Sequence, residues 1–189
     1  MCGISGIIEL DNNKAIDSSD LSKMNEAIII PVNSQSSYVK INTEVKIFPK
    51  NNTSLEGLYE SKNMLCTQCE PEGFRKITWF PDRPDNLSIF TVRIETPNDF
   101  KFLLSNGNLI KQGNNKKSKT KFVIWKDPIP KPSYLFALVA GNLEKSSDNF
   151  VTKSNKKISL EIFTDIGNSK YSKFALKSLK RAMKWEEKE

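Results

Sequence analysis

The chain has no histidine, three cysteines and only four arginines among its 189 residues. Without histidine, a zinc site would need Cys2, Cys66 and Cys69 together with a carboxylate, and their spacing does not suggest such a set. Three cysteines also cannot close a disulfide framework, because one is left over. No apolar run approaches the roughly 20 residues needed to cross a bilayer. The longest, "YLFALVAG" at 134–141, is far shorter, which argues against a membrane partner. The opening "MCGISGIIELDNN" has no basic residue before its short apolar run, so it makes a poor secretory signal, and a cytoplasmic setting is expected.

The shortage of arginine also bears on the net charge of +7, which comes mainly from lysine. Lysines crowd into "KQGNNKKSKTK" (111–121) and "TKSNKK" (152–157). Nucleic-acid grooves interleave lysine with arginine or aromatic side chains, and neither stretch contains any. Both read as solvated hairpin tips. The functional alternative is a non-catalytic basic interaction module working through Lys116, Lys117 and Lys119.

What is present divides into three zones. Residues 1–28 read as a short strand, "GISGIIEL", and then a helix. In that helix Leu21, Met24 and Ile28 follow the candidate caps Ser18, Ser19 and Asp20. Residues 29–37, "IIPVNSQSS", form a junction rich in turn formers. From Tyr38 to about Asp165 the pattern is β. "SIFTVRIE" (88–95) puts Phe90, Val92 and Ile94 on one face, and "ISLEI" (158–162) does the same with Ile158, Leu160 and Ile162.

The run 134–141 lacks alternation and suits a strand buried on both faces. The prolines of "DPIPKP" (127–132) impose an extended approach to it. Asn106-Gly107 predicts a hairpin, "QGNN" (112–115) a further turn, and Ser154-Asn155 another. Residues 168–189 read as an amphipathic helix capped by Asn168 or Ser169. Its predicted apolar stripe is Tyr171, Ala175, Leu179 and Ala182 or Met183. It carries no Gly or Pro stop, which leads to the expectation that the natural polypeptide continues.

One stretch concentrates chemistry: "LYESKNMLCTQCEPEG", Leu58 to Gly73, with a Cys-x-x-Cys among acids. A redox pair would sit at the start of a helix, which lowers a thiol pKa. Here Glu70-Pro71-Glu72-Gly73 follows, turn-like and acidic, and its charges would raise the thiol pKa. The cysteines therefore read as small packed residues, and the polar neighbours Gln68 and Glu70 become the candidates.

The wording of "NTSLEGLYESKNMLCTQCEPEGFRKITWFPDRPD" (52–85) resembles the aminopeptidase N (alanyl aminopeptidase) family of zinc metallopeptidases. The likeness continues through "FTVRIE", "LLSNGNLI", "WKDPIPKPSYLFALVAG" and "SLKRAMKW", covering roughly Tyr38 to Glu189. The resemblance implies a mainly β fold: an incomplete, saddle-like N-terminal β-domain of antiparallel or mixed sheets, closed by one C-terminal helix. It implies that Glu70 holds the α-ammonium group of a peptide with a free N-terminus, and that Gln68 lines the pocket for the first side chain. It also implies zinc in the full-length family, held by two histidines of H-E-x-x-H and a distant glutamate, beside a G-A-M-E-N loop. This chain has none of those motifs, so no catalytic residue, no bound cofactor and no peptidase activity of its own are expected.

Residues 1–28 instead resemble the start of the glutamine amidotransferase domain of asparagine synthase (glutamine-hydrolysing). In that family the residue matching Cys2 becomes an N-terminal nucleophile. The likeness breaks after Ile28, and no arginine precedes Arg75 to hold a glutamine carboxylate. The chain is thus expected to be a composite, with unpaired sheet edges and exposed apolar surface. The second functional expectation is a Cys2-dependent amidotransferase.

Overall fold

A computed structural model describes residues 3–5, 40–62, 64–97 and 99–188. Cys2, the expected helix near 18–28 and the junction at 29–37 lie outside them. Of the expected first strand, Gly3–Ser5 (β1) is described and pairs with Glu44–Lys46 (β2).

Two sheets share one core. The first has four strands in the order β3 (Gly57–Ser61), β4 (Met64–Gln68), β9 (Leu138–Gly141) and β6 (Phe102–Ser105). The second has three, ordered β5 (Ser88–Pro97), β8 (Thr120–Lys131) and β7 (Asn108–Asn115). A separate ribbon joins β10 (Leu143–Val151) to β11 (Lys157–Asp165), and helix α1 (Ser172–Glu186) packs against it. Every described strand pair is antiparallel, so the fold is mainly β and, of the two kinds of sheet expected, antiparallel rather than mixed among the described residues.

The core takes Leu58, Leu65, Leu103, Leu138 and Ala140 from the first sheet and Phe90 and Ile94 from the second. Phe74 fills the space between them. Its ring meets Phe80, Phe90 and Phe136 edge-on at centroid distances of 5.0, 5.7 and 5.0 Å. Such pairs contribute about 0.5–1.5 kcal/mol each beyond their burial. The alternation in β5 holds: Phe90 and Ile94 are buried and Val92 half-buried, while Thr91, Arg93 and Glu95 are exposed. In β11, Leu160 is buried with Ile158 and Ile162 half-buried beside it.

Four expectations need correction. The run 134–141 is a strand only over Leu138–Gly141; Ser133–Leu135 form a 3-10 turn that leaves Leu135 exposed. Pro132 delivers the chain extended, and the Ser133 hydroxyl then donates to the Asp82 carboxylate, a long-range bond invisible to hydropathy. Asn106-Gly107 turns the chain but makes no hairpin, because β6 pairs with β9 and β7 with β8. Asn106 is drawn instead to the 3-10 turn. Its Nδ2 donates to the Leu135 carbonyl at 3.1 Å, and its Oδ1 accepts the Ala137 N–H at 2.6 Å.

"QGNN" lies inside β7, and the chain reverses at 116–119. The bend starts where Asn115 Oδ1 accepts the N–H groups of Lys117 and Ser118 at 3.2 and 3.4 Å. Both lysine stretches do end in hairpin tips: 116–119 between β7 and β8, and the Ser154-Asn155 turn between β10 and β11. Finally, the helix shows a rotated face. Neither Asn168 nor Ser169 caps it through a side chain. The buried positions are Ser172 and Leu176, with Ala175 and Met183 half-buried, and Tyr171 is exposed. A 3-10 turn over Ser169–Tyr171 precedes the helix.

Among the described residues β3, β6, β5 and β7 stand at sheet edges, and Phe48, Ile129, Ile166 and Phe174 are exposed.

Candidate functional site

Gln68 ends β4, and the neighbouring strands bring it to the surface in different ways. On one side Gly57 of β3 is its partner in register. On the other side the β4–β9 ladder stops at Cys66↔Val139. One residue on, the Thr67 side chain replaces the ladder: its Oγ1 accepts the Leu138 N–H at 2.9 Å. A hydroxyl in place of a backbone pair lets the strand leave the sheet, and the next residues form a loop.

Within that loop the side chains alternate. Cys69 turns inward and is 3% exposed, while Gln68 and Glu70 on either side are exposed. This is the period of two expected of extended backbone. A turn then closes over Cys69, with the Gly73 N–H donating to the Cys69 carbonyl at 3.0 Å. Only glycine fits at position 73, where an added Cβ would lie 2.4 Å from the Gln68 carbonyl oxygen. Glu72 adopts a left-handed φ of 66°. Such a conformation costs a non-glycine residue about 1–2 kcal/mol.

The loop is pinned from beneath by a residue that sequence patterning did not single out. Asp82 is 7% exposed. Its Oδ2 accepts the Arg75 backbone N–H at 3.0 Å and the Arg75 Nε–H at 3.4 Å. Its Oδ1 accepts the Ser133 hydroxyl, and its carbonyl oxygen accepts an Arg75 guanidinium N–H at 2.8 Å. The only textual signal is an acid within "FPDRPD". That signal does not separate buried Asp82 from exposed Asp85, which pairs with Arg83 at 2.7 Å.

These surroundings settle the cysteines. Burial, and then the negative field of Asp82, push the Cys69 thiol up to about 12, although Thr67 pulls the other way. The expected rise is present, but it comes from desolvation and Asp82. Cys66 is half-buried opposite Tyr59 across the β3–β4 pair, and both cysteines are free thiols. A hydrogen bond with Cys66, and then burial, hold the Tyr59 phenol above its usual range.

Gln68 Nε2 donates to the Glu70 backbone carbonyl at 3.3 Å, and the Glu70 side chain is exposed. Arg75, a nearby cation, is engaged by Glu72 at 3.5 Å and by Asp82. Among the described residues no ion pair includes Glu70. The loop thus presents, among the described residues, a carboxylate without an ionic partner, on a backbone held at its exit by Asp82. Among the described residues no three Cys, Asp or Glu side chains converge as a metal-ligand set. A cleft of about 360 Å³ is lined by Ile47, Phe48, Glu56, Leu58 and Lys76 among others, and it does not include Gln68 or Glu70.

Comparison with known proteins adds the family context. Residues 8–135 match the peptidase M1 N-terminal domain. The chain is 53% identical over 147 residues to the aminopeptidase N of Caulobacter vibrioides, covering 78% of this chain and 17% of that protein. It is 50% identical over 143 residues to the aminopeptidase N of Escherichia coli, covering 75% and 16%. Its fold is similar to that of Legionella pneumophila aminopeptidase A in complex with aspartic acid, with TM-score 0.69 and 37% identity over 80% of this chain and 19% of the other. A Deinococcus radiodurans M1 zinc metallopeptidase bound to a Tyr-Ser-Ala substrate shares the fold, with TM-score 0.52 and 21% identity over 59% of this chain and 25% of that one. The chain therefore spans about one sixth of the curated relatives it matches.

Proposed function

The chain belongs to the peptidase M1 N-terminal domain family, and from that premise we propose that it supplies the substrate-binding wall of a zinc-dependent aminopeptidase. In this reading Glu70 receives the free α-ammonium group of a peptide, and Gln68 borders the pocket for the first side chain. The observation that carries it is the exposed Glu70 carboxylate, which has no ion-pair partner among the described residues and stands two residues past Gln68 with Cys69 anchored between them.

The chemistry follows from what an exopeptidase must detect. A chain end differs from an internal peptide nitrogen by its positive charge and its extra N–H donors. A fixed carboxylate offers the ammonium a charge-assisted hydrogen bond of about 1.5–3 kcal/mol. An internal amide offers no charge and would strip the carboxylate of water without compensation. The backbone of residues 69–75 is held by its own turn and by Asp82, so little ordering is left to the ligand. Bond cleavage belongs, in this reading, to the remainder of such proteins, since the H-E-x-x-H motif that holds their zinc is not in this sequence. A cytoplasmic setting is part of the same proposal.

The test is an amide NMR titration of the 189-residue chain with L-alaninamide and with N-acetyl-L-alaninamide. The free amine is expected to shift resonances of residues 68–73, the acetylated compound to leave them in place, and Glu70→Gln to abolish the response. Equal responses to the two compounds, or no response to either, would overturn the proposal.

A further inference from the structure

We infer that Asp82 is the positioning residue of the Gln68–Glu70 loop: a buried carboxylate that fixes where the ammonium-binding group stands without touching the ligand. The binding half of this inference rests on the proposed function, and the positioning half does not. Asp82 ties the chain at Arg75, 7 residues before it, to the chain at Ser133, 51 residues after it. It accepts from the Arg75 main chain and side chain, which lie directly after the loop. It accepts from Ser133, which is 1% exposed and opens the 3-10 turn leading into β9. Strand β9 in turn pairs with β4, the strand that delivers Gln68. Loop entry and loop exit are thereby referred to one carboxylate, which also lies close enough to Cys69 for its charge to disfavour the thiolate there.

The loop needs such a pin. Its own contacts are a turn hydrogen bond, Gly73 N–H to Cys69 carbonyl, an exposed amide contact of Gln68 with the Glu70 carbonyl, the exposed Glu72–Arg75 ion pair and the inward packing of Cys69. Glu72 sits in a left-handed conformation that relaxes if the exit is freed. Gly73 lies against the Gln68 carbonyl and the Cys69 Cα, so any drift of Arg75 passes directly to the backbone carrying Glu70. A neutral amide at position 82 keeps the size and one acceptor oxygen. It loses the charge and sets a donor where Arg75 or Ser133 donates.

Hydrogen exchange on the 189-residue chain reads this without any ligand. Asp82→Asn is expected to speed exchange of the Gly73 N–H, which does not touch Asp82, by about tenfold, the factor set by a lost charge-assisted bond. Amides of the β4–β9 ladder should keep their protection. Ser133→Ala removes one of the bonds and should give a smaller increase at Gly73 in a folded protein. In the L-alaninamide titration Asp82→Asn should weaken binding by about tenfold. Unchanged Gly73 exchange in both variants would overturn the inference. So would a loss of protection spread evenly over β4, β9 and the loop in Ser133→Ala, which would make the contact merely structural. A wild-type chain that ignores L-alaninamide, yet shows loop-specific exchange in Asp82→Asn, would sink the proposed function and leave the positioning role standing.

Discussion

The indole N–H of Trp125 donates to the carbonyl oxygen of Leu103 at 3.0 Å, joining β8 of the three-stranded sheet to β6 at the edge of the four-stranded one. Among the described residues β6 has only β9 beside it, and the Leu103 carbonyl finds its partner in the other sheet. Trp125→Phe keeps most of the ring volume and leaves that carbonyl unpaired. A loss of about 1–3 kcal/mol is expected, measured as a lower urea midpoint with unchanged slope.

Gly107 takes φ of 83°, and a Cβ there would lie 2.2 Å from the Lys126 carbonyl oxygen. That obstacle is backbone in the middle of a sheet and cannot step aside. Gly107→Ala should therefore cost more than the roughly 1–2 kcal/mol of the left-handed conformation alone. Thermal melting against Asn108→Ala, an exposed neighbour expected to stay within about 0.5 kcal/mol, checks this.

The pH dependence of stability carries a signature of Cys69. Its thiol is neutral when folded up to about 12, whereas an unfolded thiol ionises near 8.5. Above that lower value the unfolded chain binds fewer protons than the folded one. Stability should thus be fully present below it and fall as pH rises towards the folded value, by up to about 1.4 kcal/mol per pH unit. Cys69→Ala should flatten this component. The same burial predicts that iodoacetamide at mildly alkaline pH leaves Cys69 unmodified until denaturant is added, as read by peptide mapping.

The helix face gives a direct contrast. Leu176 is 7% exposed and Phe174, two residues earlier, is 78% exposed. Leu176→Ala should cost about 2–4 kcal/mol, whereas Phe174→Ser should change stability by no more than about 0.5 kcal/mol. Denaturant titration of both variants separates this face from the one centred on Tyr171 that sequence spacing suggests.

The helix illustrates why part of the fold was hidden. Its residues Tyr171, Ala175 and Leu179 have helical spacing, and so do Ser172, Leu176 and Met183. Only the approach of β10 and β11 chooses between the two stripes. The same limit applies to Asn106-Gly107. The dipeptide specifies a bend, but the partners of β6 and β7 lie far along the chain in β9 and β8.

Sequence by itself determined what depends on neighbours in the chain. It set the alternating faces of β5 and β11, the bend at Ser154-Asn155, the extended prolines before β9 and the polar tips that carry the lysines. In the candidate loop it also marked Gln68 and Glu70 through a likeness of wording, and the period of two explains why Cys69 faces away from both. Only the tertiary structure decided which strands pair, where the apolar run 134–141 becomes a strand, and which of Asp82 and Asp85 is buried. The physical reason is common to all three. A side chain's environment is set by groups brought close from far along the chain, as Ser133 is to Asp82, and no local pattern of residues records that meeting.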